Sequence, residues 1–123
     1  MSKIVPLKDF GIPVNSAIPA TDHIIAYYGP HPLDLTNEEA IYAQRARIDC
    51  GPISGLKVVT DSAGASVWDL SEIASSLPTG LSGSYDFVFT NMDANGNESN
   101  FSPILTVEID TTVPLALGQP VEL

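Results

Sequence analysis

Residues 85–92, Tyr-Asp-Phe-Val-Phe-Thr-Asn-Met, alternate in a way that favours one kind of backbone. On an extended segment Tyr85, Phe87, Phe89 and Asn91 fall on one side, and Asp86, Val88, Thr90 and Met92 on the other. A period of two marks a strand lying on a core. Leu105, Val107 and Ile109 repeat the alternation against Thr106, Glu108 and Asp110. Between the runs, Asp93-Ala94-Asn95-Gly96-Asn97-Glu98 is small, polar and suited to a turn. The two runs are therefore expected to pair as an antiparallel hairpin with a loop longer than two residues.

The same signals recur upstream. Asp22–Gly29 is rich in β-branched and aromatic residues and is stopped by Gly29-Pro30, which predicts a strand. Leu56–Thr60 and Ser66–Leu70 flank the turn sequence Asp61-Ser62-Ala63-Gly64 and predict a second hairpin. Ser71–Leu77 reads as a short strand or a single helical turn. Thr36-Asn37-Glu38-Glu39 has the form of a capping box, so a short helix over 37–47 is one reading. A strand over 40–50, with Tyr42, Gln44, Ala46, Ile48 and Cys50 on one face, is the other, and both stay open. Turn signals at this spacing favour an all-β sandwich over a barrel or a parallel sheet.

Leu81 stands four residues before Tyr85. It leads into Tyr-x-Phe-x-Phe-x-Asn-x-Asp, followed by Gly96, Ser99, Ser102 and Pro103. Over Leu77 to Asp110 this resembles the last two strands of a fibronectin type III domain. The resemblance implies an immunoglobulin-like antiparallel β-sandwich across residues 22–110. It also implies a tyrosine corner, with the Tyr85 hydroxyl bonded to backbone a few residues upstream. Leu81, Tyr85, Phe87, Phe89 and Gly96 then carry structural roles, and Trp68 is expected in the core. Such domains usually have a tryptophan shortly before a proline near the first strong strand; here Tyr28 precedes Pro30. Asp110-Thr111-Thr112-Val113-Pro114 looks like the junction between bacterial immunoglobulin-like modules. A fold of this kind serves many unrelated functions.

The chain has 123 residues, enough for one domain with a core of its own. Fifteen acids against five bases give a formal charge of −10, which repels phosphate backbones and argues against nucleic acid as a partner. No apolar run is long enough to cross a membrane. Cys50 is the single cysteine and is expected to act as a small hydrophobe, since no catalytic context surrounds it. His23 and His31 have no partner at metal-ligand spacing, and no nucleophile elbow or phosphate loop is present. Asp93, Asn95 and Asn97, with Glu98 beside them, are weak calcium candidates, because a self-bonded turn needs the same residues. Trp68, Tyr27, Tyr28 and Tyr42 could stack a sugar, although core packing is their ordinary role. No cofactor and no catalysis are expected.

Residues 1–21 hold Pro6, Pro13 and Pro19 and read as an extended arm with one edge strand. Residues 111–123 read as a tail. Ile4, Val5, Leu7, Phe10, Leu115, Leu117 and Val121 are apolar groups in segments unsuited to independent folding, so they are expected to bind a partner. The amino terminus lacks the apolar core of an export signal. Together these features predict a structural protein of a bacteriophage virion, made in the host cytoplasm. A capsid decoration protein gripping neighbouring shell subunits through its arms, or self-associating, is the leading expectation. The alternatives are a tail-associated subunit and an adhesin or carbohydrate-binding module of a bacterial surface protein.

Overall fold

The computed structural model describes residues 9–34, 36, 39, 46–112 and 114–123. Seven strands are present among them: β1 (Gly11–Pro13), β2 (His23–Pro30), β3 (Arg47–Pro52), β4 (Val58–Thr60), β5 (Ser66–Asp69), β6 (Ser82–Met92) and β7 (Leu105–Asp110). Two short 3-10 turns, Ile53–Gly55 and Ser71–Ser76, accompany them. The strands form two antiparallel sheets, one in the order β1-β5-β4 and the other in the order β3-β2-β6-β7. The described residues are mostly β.

Both hairpins expected from the alternation form. β6 pairs with β7 from Ser82↔Asp110 to Phe87↔Leu105, and β4 pairs with β5 from Val58↔Trp68 to Thr60↔Ser66. β2 sits between β3 and β6, registering Ala26 opposite Phe89 and Tyr28 opposite Phe87. Its Ile24, Ala26 and Tyr28 thus meet Phe87, Phe89 and Tyr85 on the face turned toward the smaller sheet. Trp68, Leu70, Ile73 and Leu77 supply the opposing side of that core. Phe87 is fully buried at its centre, stacked on Tyr28 at 5.6 Å and near Phe89 at 6.3 Å between ring centroids. Ser71–Ser76 is a 3-10 turn and not a strand; its Ile73 drops into the core as the chain passes from one sheet to the other.

Residues 9–21 contain the expected edge strand and lie along the domain itself. β1 pairs with β5 through Gly11↔Asp69 and Pro13↔Val67, and Phe10, Ile12 and Ile18 pack on the core. The Phe10 ring lies 5.7 Å from that of Phe87. Gly11 permits this approach, since a Cβ there would stand 2.1 Å from the Trp68 carbonyl oxygen. Phe10 is half-buried and spends part of its apolar surface on the core of its own domain. Ile4, Val5 and Leu7 lie outside the described residues. So does most of the segment 35–45, on which the choice between helix and strand depended; β3 itself begins at Arg47.

The loop feeding β6 is closed from the far end of β7. Thr111, fully buried, donates its hydroxyl to the Pro78 carbonyl at 2.8 Å and accepts from the Leu81 amide at 2.8 Å. Its own amide donates to the Leu81 carbonyl at 2.8 Å. Residue 111 thus belongs to the folded domain and the tail begins after it. Among the described residues the half-buried Tyr85 hydroxyl makes no hydrogen bond, and the Leu81 amide upstream is held by Thr111.

Candidate functional site

At its centre, on β2 and β6, the larger sheet is buried on its second face as well. Ile25, Tyr27 and Val88 point away from the smaller sheet, yet all are essentially inaccessible, with Leu33, Met92 and Phe101 packed against them. The cover over Tyr27 comes from the β6–β7 loop, whose Phe101 meets the Tyr27 ring edge-on at 5.6 Å. Glu98 of the same loop accepts from the Tyr27 hydroxyl at 2.8 Å and from the Thr90 hydroxyl at 2.6 Å. Burial first, and then the Glu98 carboxylate, push the Tyr27 phenol up to about 12. It stays protonated and donating.

Beside this cluster sits a buried acid. Asp86 accepts from the His31 ring nitrogen Nδ1 at 2.9 Å, the Leu33 amide at 2.9 Å and the Thr106 hydroxyl at 2.6 Å. Burial acts to raise its pKa, but the bonds from Thr106, the Leu33 amide and His31 outweigh it and hold the carboxyl below its ordinary value. The chain leaving β2 is tied down by these contacts. His23 makes a similar but exposed pair with Asp49, Nδ1 to Oδ1 at 2.9 Å. Ser84 bonds Glu108 farther along the face. The carboxylates of Asp86 and Glu98 are each engaged by several donors, which ties the segments that carry those donors to the sheet.

The calcium candidates resolve into turn geometry. Asp93 Oδ1 accepts from the amides of Asn95 and Asn97, each at 2.9 Å, and Gly96 takes a φ of +85°. The β4–β5 turn does the same: Asp61 Oδ1 accepts from the amides of Ala63 and Ala65 at 2.9 Å, with Gly64 at +86°. Asp61-Ser62-Ala63-Gly64-Ala65 lacks the extra oxygens of the other loop and adopts the same form. The spacing Asp-x-x-Gly thus suffices for the shape, since glycine alone takes that φ without strain. Asn95 and Asn97 are exposed, and Glu98 turns away to Tyr27. Among the described residues no group of three or more His, Cys, Asp or Glu side chains could hold a metal.

Several clefts open on the described surface. A cleft of about 480 Å³ is lined by Ile48, Cys50, Leu56 and Ile73 together with Lys57 and Glu72. Burial, then Asp49, push the Cys50 thiol up to about 12, so it offers no thiolate. A smaller cleft of about 240 Å³ opens beside Ile12, Ile18, Trp68 and Asn91. There Asn91 Nδ2 donates to Asp22 at 2.9 Å, while Oδ1 is buried and has no partner among the described residues. Trp68 and Tyr27 are core residues, which removes two rings from the sugar-stacking set; Tyr42 lies outside the described residues.

The largest unsatisfied feature is apolar and lies at the end of the chain. Leu115 and Leu117 are each 97% exposed and Val121 is 78% exposed, with Leu123 fully open. Of the described residues expected to bind a partner, Leu115, Leu117 and Val121 are exposed and Phe10 is half-buried. No helix among the described residues is long and apolar enough to cross a membrane. Comparison with family models, with curated proteins and with solved structures finds no match to this chain.

Proposed function

We propose that this chain is a non-catalytic, immunoglobulin-like module of the fibronectin type III kind, acting as a structural subunit of a larger protein assembly. Strand order supports the immunoglobulin-like sandwich, without singling out the fibronectin type III kind. With β1 taken as strand B, the order β1-β5-β4 is B-E-D, and β3-β2-β6-β7 is C′-C-F-G. The observation that carries the role is the tail: Leu115, Leu117 and Val121 stand in solvent beside a domain whose core is already closed. Burying each on a neighbour is worth about 1.5–3 kcal/mol.

The setting we propose is a bacteriophage virion, first as a capsid decoration protein bound to the shell and second as a tail-associated subunit. The burial of Trp68 and Tyr27 counts against the carbohydrate-binding alternative. The test is to purify intact particles and quantify this chain by mass spectrometry. Stoichiometric proportion to the shell protein is the expected result, and its absence from particles would refute the virion setting. A form lacking residues 115–123 should keep its cooperative melt and lose occupancy; undiminished occupancy would refute attachment through the tail.

A further inference from the structure

The tail has a strand's pattern without a sheet. From residue 115 to 123, Leu115, Leu117, Gln119, Val121 and Leu123 occupy the odd positions, and Ala116, Gly118, Pro120 and Glu122 the even ones. A period of two gives an extended segment one apolar face, whereas a polyproline helix would need a period of three. Gly118 and Pro120 exclude a helix.

The prolines add a second constraint. In a strand, the amide and carbonyl of one residue point to the same edge, and those of the next residue to the opposite edge. Pro114 and Pro120 are both even, so the two missing donors fall on one edge and every odd amide on the other is intact. A strand with prolines confined to one edge is built for the border of a sheet. Among the described residues this segment pairs with no strand, and its Leu115, Leu117 and Val121 are largely exposed.

We propose that residues 114–123 are a donated edge strand. They add to an open sheet edge of a partner chain of different sequence, through the odd-numbered amides, with Leu115, Leu117, Val121 and Leu123 on the partner's apolar surface. Charge selects the partner. A second copy would bring a further −10, and Glu108 and Asp110 are exposed on β7, an edge strand of the larger sheet. The acceptor is thus less acidic than this chain and carries a cation facing Glu122.

The inference rests on the assembly reading above and is tested with the full chain added to particles assembled without it. Gln119→Pro removes an amide from the bonding edge, and Gly118→Pro removes one from the other edge. Both keep the segment extended. With melting unchanged, the first should weaken occupancy about tenfold and the second should leave it intact. Equal loss in both variants, or loss in neither, overturns the donated strand while leaving the assembly role standing. Failure of the unaltered chain to bind overturns both. The isolated chain should sediment as a monomer, and a tail-dependent oligomer would overturn the choice of partner.

Discussion

Thr111 and Leu81 close on each other twice, the Thr111 amide donating to the Leu81 carbonyl and the Leu81 amide to the Thr111 hydroxyl, each at 2.8 Å. One residue beyond β7 thereby fixes the loop that delivers β6 to the core. The same hydroxyl also reaches Pro78. Because Thr111 is 1% exposed, these groups have no water to fall back on.

Thr111→Val keeps the shape and removes the hydroxyl, and should cost about 1–3 kcal/mol by leaving the Leu81 amide and Pro78 carbonyl unpaired. Tyr85→Phe should change stability by less than about 0.5 kcal/mol, since its hydroxyl makes no hydrogen bond among the described residues. Urea denaturation of both variants checks this. A larger loss for Tyr85→Phe than for Thr111→Val would restore the tyrosine corner.

Val88→Thr distinguishes a buried outer face from a solvated one. On a solvated face the substitution would be close to neutral. Against Ile25 and Tyr27 it places a hydroxyl in an apolar cluster and should cost about 1–3 kcal/mol. A melting temperature equal to that of the unaltered protein would mean that the β6–β7 loop does not cover this face in solution.

Asp86 should give the fold an acid-sensitive component. Its folded-state pKa lies below the ordinary value of 3.8, so its stabilisation is fully present above that value and is lost as pH falls through the folded-state value. Asp86→Asn should therefore be less stable than the unaltered chain at pH 7, and the gap should narrow as pH drops below about 4. A gap that stays constant between pH 7 and pH 3 would show that the carboxylate charge contributes nothing.

Cys50 should resist labelling. With its thiol raised to about 12, a thiol reagent at pH 8 should react more than about tenfold slower with the native chain than with the chain in urea. Equal rates would place Cys50 in an open, ionisable environment.

The alternation in Tyr85–Met92 and Leu105–Ile109 determined two strands and their inward faces, because a period of two leaves an extended chain one way to bury Phe87, Phe89, Val107 and Ile109. Asp-x-x-Gly determined the β4–β5 turn and the Asp93–Asn97 turn within the β6–β7 loop, because a carboxylate and a left-handed glycine settle that geometry within five residues. Those are local effects, and the sequence carries them in full. Trp68 in the core followed from its size and hydrophobicity.

Tertiary structure decided the rest. Nothing in the spacing of Asp86, Val88 and Thr90 distinguishes a face open to water from one covered by a loop. Glu98 and Phe101 read as loop residues until the chain folds back onto Tyr27, 71 positions from Glu98. Phe10 and Leu115 look alike in sequence, each apolar and near a proline. One packs against the core because β5 offers β1 an edge, and the other pairs with no edge among the described residues. Burial depends on contacts between residues distant in the chain, and a periodicity records only which side of its own segment a residue occupies.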